Sequence, residues 1–178
     1  MGIDLDKQAR RESDEVLNSL ISNVDLSLET ITKLGEISKG TDRQRIRLCV
    51  HRNTTESVHE MFIVHPKGAY VPPHKHLGKS ESMLVLDGET DYFLFGEEGK
   101  IEKKISMGDY RSGKSFFFRL QEPLFHSILI RSNTLTFLEI TKGPFRRNDT
   151  IEAPWAPKQD NSEEVDRFLE ELSQWTED

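Results

Sequence analysis

The sequence predicts a mainly β domain, a barrel or sandwich of short strands with helical segments at both ends. Three observations carry this reading. From about Arg43 to about Ile140, apolar and polar residues alternate with a period of two, and turn signals such as Asp87-Gly88 and Glu97-Glu98-Gly99-Lys100 separate the runs. Before residue 40 the apolar residues recur at helical spacing, and after residue 160 they do so again. A chain of 178 residues is long enough for one domain with a sizeable core. The expected organisation is a helical N-terminal extension over 1–40, a β-barrel over 41–145, and an extended strap with a C-terminal helix over 146–178.

Taken in order, Val16, Leu17, Leu20, Ile21 and Val24 fit one face of a first helix, with Arg10, Arg11, Glu12 and Asp14 left in water. A second helix is expected from Leu28 to about Ile37, with Gly40 as its stop. The strand-like segments follow. In Ala153-Pro154-Trp155-Ala156-Pro157 the prolines fix the backbone and remove donors, so this segment is an extended strap with Trp155 packed on the barrel. Asn161 with Glu164 three residues later resembles a capping box. Val165, Phe168, Leu169, Leu172 and Trp175 form the stripe by which the last helix docks.

Composition narrows the function. The net charge of −7 argues against nonspecific nucleic-acid binding, which needs a basic surface. Cys49 is the one cysteine, which excludes an intramolecular disulfide and fits a reducing compartment. No stretch approaches the roughly 18 apolar residues of a membrane span, and the start lacks a basic region followed by an apolar one. A cytoplasmic protein without membrane insertion is expected.

The strongest functional signal is Pro72-Pro73-His74-Lys75-His76-Leu-Gly-Lys-Ser-Glu81. Side chains alternate faces along a strand, so His74 and His76 point to the same side and Lys75 to the other. The Gly-containing stretch after them can bend the chain and bring the Glu81 carboxylate beside the imidazoles. Two His and a carboxylate form a nitrogen and oxygen donor set for Fe, Mn, Co, Ni or Zn, with coordination positions left open. A solvated His-x-His pair is the plainer alternative. The apolar run Met83-Leu84-Val85-Leu86 argues against it, because ionisable groups beside a core-entering strand need partners, and one cation partners them all.

The spacing Gly68-x5-His74-x-His76-x4-Glu81-x6-Gly88 resembles the first motif of the cupin superfamily. The resemblance implies a single cupin, RmlC-like jelly-roll β-barrel and a third histidine ligand from a later strand. His126, after Pro123 in a partly kept second motif, is the downstream His that fits. A closer resemblance rests on Arg45-Ile-Arg47-Leu-Cys49-Val-His51, Glu60-Met61, Tyr70-Val-Pro-Pro-His74, Phe117-Phe118-Arg119, Gly143-Pro-Phe145 and the strap. Over roughly residues 43 to 157 these look like the WbuC-type cupin metalloproteins. That likeness implies one divalent metal held by His74, His76, Glu81 and His126. It also implies a setting in O-antigen or sugar-nucleotide metabolism and a homodimer.

Arg43, Arg45, Arg47, Cys49 and His51 share one face of their strand, with Ile46, Leu48 and Val50 on the other. The charged face either lies in solvent or reaches the barrel mouth, where guanidinium groups would grip a carboxylate or phosphate. On the second reading Arg45, Arg47 and His51, with Tyr70 and Arg119, are substrate contacts for an anionic small molecule such as a sugar nucleotide. Glu60 is a candidate general base, with a surface salt bridge as the alternative. Three functions follow from such a site: a sugar isomerase or epimerase, a non-haem metal-dependent dioxygenase, or a noncatalytic metal-dependent binding module.

Overall fold

The period-two segments of the sequence form two sheets packed face to face, and the computed structural model describes residues 2–176 of the chain. The larger sheet has the order β1 (Ala9–Ser13), β2 (Val16–Ser19), β3 (Ile46–Cys49), β4 (Val58–Pro66), β11 (Thr134–Lys142), β6 (Glu81–Asp87), β9 (Phe117–Leu120). The smaller has the order β12 (Thr150–Glu152), β5 (His74–His76), β10 (Phe125–Ile130), β7 (Glu89–Phe95), β8 (Ile101–Gly108). The pairing is antiparallel except for β2 with β3. This is the mainly β jelly roll that the sequence predicts, with helices α1 (Leu5–Gln8) and α2 (Leu28–Lys39) towards the N-terminus and α3 (Ser162–Gln174) towards the C-terminus.

Alternation along the strands builds three cores instead of one. Met61 and Ile63 of β4, Met83 and Val85 of β6, Tyr92 and Leu94 of β7, and Ile128 and Ile130 of β10 face each other between the sheets. On β7 and β10 their neighbours in sequence point outward and are covered too. Phe93 and Phe95 of β7 and Phe125 and Leu129 of β10 pack under α3 (Ser162–Gln174) and the strap. Such strands read as unbroken apolar runs because both faces are buried. Burying a side chain as fully as Phe93 contributes about 1.5–3 kcal/mol.

The third core lies outside β3 and β4. Leu34 of α2 (Leu28–Lys39) meets Ile46, Leu48 and Val64 there, all fully buried. Ser27 caps this helix by accepting from the Thr30 amide, and Gly40 closes it. The first expected helix is absent: Val16 to Ser19 is β2, which pairs in register with Arg47, Leu48 and Cys49 and forms a hairpin with β1. Hydrogen bonding to an existing sheet edge outweighs the weak helical preference of Val-Leu-Asn-Ser. Leu20, assigned to the apolar stripe of that helix, is exposed, whereas Leu17, Ile21 and Val24 join the core beside α2. At the other end Asn161 caps α3 through the Glu164 amide, and Val165 and Leu172 are buried. Trp155 of the strap donates to the Glu97 carbonyl at 3.0 Å and packs on Phe95 and Phe125.

Candidate metal centre

The His-x-His pair is the short strand β5, with Pro72 and Pro73 before it. His126 lies opposite His74 in the pairing of β10 with β5, and Glu81 opens β6 in the facing sheet. The two sheets therefore converge on one set of donors. Ligand atoms of His74, His76, Glu81 and His126 all lie within 4.8 Å of one another. His76 Nε2 is 3.0 Å from one carboxylate oxygen of Glu81, and His126 Nε2 is 3.6 Å from the other.

The hydrogen bonds around the imidazoles fit a metal. His74 Nδ1 is 2.8 Å from the Pro72 carbonyl, and His126 Nδ1 is 3.0 Å from the Leu124 carbonyl. A carbonyl only accepts, so each Nδ1 carries the proton and each Nε2 presents a lone pair to the cluster. His126 Nε2 is buried without a hydrogen-bond partner, and a cation would satisfy it. His76 Nδ1 meets the Thr150 hydroxyl at 3.0 Å, a group that serves either tautomer. Tyr92 donates its phenol hydrogen to Glu81 at 3.3 Å, orienting the carboxylate.

Electrostatics point the same way. Burial, reinforced by the neighbouring His126, pushes His74 down to about 3 and so keeps it neutral. His126 is lowered chiefly by burial as well. Burial alone would raise Glu81, but the surrounding imidazoles outweigh it and hold the group down to about 2. Neutral imidazoles and an ionised carboxylate are the ligand forms a divalent ion requires.

The cluster lines one end of a cavity of about 340 Å³ between the sheets. Met61, Ile63, Met83, Ile128 and Phe137 form its apolar wall, and the exposed lining residues Arg43, Phe145, Arg147 and Glu152 mark where it opens. Arg43, Arg45 and Arg47 all line it, although β3 begins only at Ile46: Arg47 is turned inward on the strand, Arg45 lies just before it and Arg43 in the preceding turn. Besides the exposed Glu152, two carboxylates that the sequence reading missed also line it. Glu15, from the β1–β2 turn, pairs with Arg43 and with Arg45 Nε at 2.6 Å. Glu139 of β11 is pushed up to about 8, first by burial and then by the charge of Glu81, with Arg47 and Arg45 opposing.

The other expected contacts lie elsewhere. Glu60 pairs across from Ile140 on the outer side of β4, exposed and outside the cavity, because the inward positions belong to His59, Met61 and Ile63. It therefore lies outside this cavity, which Glu139 lines. His51 is turned to the surface, stacked on His59 with centroids 4.2 Å apart and hydrogen-bonded to the Glu60 backbone. Tyr70 is buried and donates to the Pro157 carbonyl at 2.9 Å, a tie between barrel and strap. Arg119 is exposed on edge strand β9 and donates to Ser80 Oγ at 3.0 Å. Lys75 points to the opposite face from its flanking histidines, to Glu97 at 2.6 Å and over the Phe125 ring. Cys49 is a buried thiol pushed up to about 11 by burial, which leaves little thiolate to react.

Comparison with known proteins agrees with the fold. Residues 26–107 match a family described as a domain of unknown function (DUF6016). No curated protein matches the sequence. Among solved structures, CapF with the inhibitor 3-isopropenyl-tropolone is 14% identical with a TM-score of 0.51, covering 63% of this chain and 32% of that one. Oxalate decarboxylase of Bacillus subtilis, described with Mn(II) centres, is 15% identical with a TM-score of 0.45, covering 68% of this chain and 32% of that one. The Cnp3 cupin domain of Schizosaccharomyces pombe is 14% identical with a TM-score of 0.44, covering 57% of this chain and 66% of that one. The chain thus spans about a third of CapF and of the decarboxylase. The fold is a cupin-like jelly roll.

Proposed function

We propose that this cupin is a metal-dependent enzyme acting on a small polyhydroxylated anion of the sugar or sugar-nucleotide type, in an isomerase- or epimerase-like reaction. The observation that carries this reading is a single cavity that joins a three-His, one-Glu donor set to a half-buried guanidinium with no carboxylate partner among the described residues, that of Arg47. His74, His76, Glu81 and His126 would hold the ion. A divalent metal in such a site supplies Lewis acidity towards a carbonyl or a pair of vicinal hydroxyls. Arg47 binds the anionic group of the ligand and fixes which carbon faces the donor set. Glu139, in the same cavity, takes or returns the proton. The apolar wall excludes water from the sugar ring. The WbuC-type resemblance supports a cytoplasmic homodimer working in bacterial surface polysaccharide, or O-antigen, biosynthesis.

The test is calorimetric titration of metal-loaded and metal-free protein with a panel of uronic acids, sugar phosphates and sugar nucleotides, with turnover followed by NMR. At least one panel member should bind only the metal-loaded form, about tenfold or more weaker in Arg47→Met, and turnover should vanish in Glu139→Gln. Equal binding to the metal-free protein would contradict the proposal. Binding without turnover would identify a metal-dependent binding module, and turnover that stops without dioxygen would identify a dioxygenase.

A further inference from the structure

Three arginines at and just before β3 line the cavity, yet they are not equivalent. Glu15 engages both Nε and Nη2 of Arg43, the latter at 2.6 Å, and reaches Arg45 Nε at 2.6 Å. This fork-on-fork arrangement is the geometry by which proteins grip a bound carboxylate or phosphate. Here the carboxylate comes from the chain itself. Glu15 is 8% exposed, and its carbonyl accepts from the Arg47 amide at 2.9 Å, which locks the turn of the hairpin to β3. Burial would raise the group, but hydrogen bonds from Arg43 and Arg45 outweigh that and keep it ionised. Arg47, next on the same face, has only the Met61 sulfur, at 4.0 Å from Nη1.

The charges along the cavity therefore run in order. At the arginine end, the single negative charge of Glu15 is shared by two guanidinium groups, and Arg47 is left for a ligand. Further in lie Glu139, in register with Met61 and Met83, and then the donor cluster with Glu81. A doubly charged phosphate monoester placed on Arg47 would bring a second negative charge up to the Glu15 carboxylate, while Arg47 is the one guanidinium of the three that no carboxylate engages among the described residues. A singly charged carboxylate or phosphodiester meets one fork with one charge.

From this geometry we infer that Glu15 sets the anion selectivity of the cavity: it occupies the Arg43–Arg45 half of the arginine site and leaves Arg47 to take a singly charged group. The inference rests on the proposed binding of an anionic ligand between Arg47 and the donor cluster, and deepens it by naming the charge class. Glu15 is a specificity residue that acts through the arginines it holds. Removing its charge frees two guanidinium groups and converts the site to one suited to a dianion.

The experiment is calorimetric titration of the metal-loaded full chain with glucuronate, as the carboxylate probe, the methyl ester of glucose 1-phosphate, as the singly charged phosphodiester probe, and glucose 1-phosphate, as the doubly charged monoester probe. Wild type should bind a singly charged probe group about tenfold tighter than the monoester, and Glu15→Gln should erase or invert that preference by tightening the monoester about tenfold. Glu15→Asp retains the charge and should retain the wild-type preference, which covers the case in which Glu15→Gln folds poorly. Monoester binding that is as tight as the others in wild type, or a preference unchanged in Glu15→Gln, would overturn the inference while leaving the anion site intact. An effect of the same size in Glu15→Asp would overturn it too, by showing that position and not charge is being read. Failure of all three probes to bind wild type, or indifference to Arg47→Met, would overturn the proposed function and this inference with it.

Discussion

His126→Ala is expected to abolish metal retention while leaving the fold in place. His126 closes the donor set from the one strand that pairs with both β5 and β7, and its Nε2 is a buried atom without a hydrogen-bond partner. Loss of a partner beyond the ligands typically costs a metalloprotein 10–100-fold in affinity, and loss of a ligand should exceed about 100-fold. The β10 residues that hold the sheets together, Phe125, Ile128, Leu129 and Ile130, are untouched by the change. Removing a buried imidazole whose Nε2 is unsatisfied is mild for the metal-free protein. The readouts are metal per chain after dialysis and the melting temperature with and without metal. The metal-dependent rise in melting temperature should disappear in His126→Ala and survive in Lys75→Ala, whose side chain lies on the opposite face between the two ligands.

Acid should destabilise the protein steeply between pH 6.5 and about 3, and His65 should account for a distinct part of the loss. His65 is 4% exposed, stacks on Phe137 and has an unpartnered Nδ1. Burial, with Arg45 adding to it, lowers the group to about 3. The folded state thus holds His65 neutral, whereas the unfolded chain binds a proton below its ordinary value of 6.5. Above that pH the group contributes nothing. Below it, each pH unit removes about 1.4 kcal/mol, until the folded-state value is reached. Denaturant unfolding of His65→Gln at pH 7 and pH 4.5, with wild type in the same metal state, isolates this contribution. The difference between the two proteins should move by roughly 2–3 kcal/mol in favour of the variant at the lower pH. An unchanged difference would mean that His65 is charged in the folded protein.

The elements read correctly from sequence are those whose local signals and tertiary partners agree. Gly40 and Asn161 are helix ends in the sequence and caps in the structure. His74 and His76 needed only strand alternation. Glu81 and His126 are brought to them by sheet packing, which the motif spacing encodes but composition does not. Glu139 escaped because Phe137-Leu138-Glu139-Ile140 is apolar on both faces of the strand, so alternation alone does not say which way the carboxylate points. The register of Glu139 with Met61 and Met83 decides it, and the same register sets Glu60 on the outer side opposite Ile140. Glu15 escaped for a different reason. Val16 and Leu17 fit helical spacing, and the hairpin that carries Glu15 into the cavity exists because β3 offers it a free edge. The arginine strand was legible as two-faced, and the cover over its aliphatic side, Leu34 of α2, turns the guanidinium groups inward.

The central claim is that one divalent ion binds among His74, His76, Glu81 and His126. Its most direct test is anomalous diffraction, at the absorption edge of whichever metal elemental analysis finds, on crystals of protein purified without a metal-binding tag. The account predicts one strong peak per chain, within about 2.0–2.3 Å of three imidazole nitrogens and a carboxylate oxygen. Stoichiometric metal with its peak at any other place, or a cluster that stays empty in crystals grown with excess Mn, Fe, Co, Ni or Zn, would contradict it.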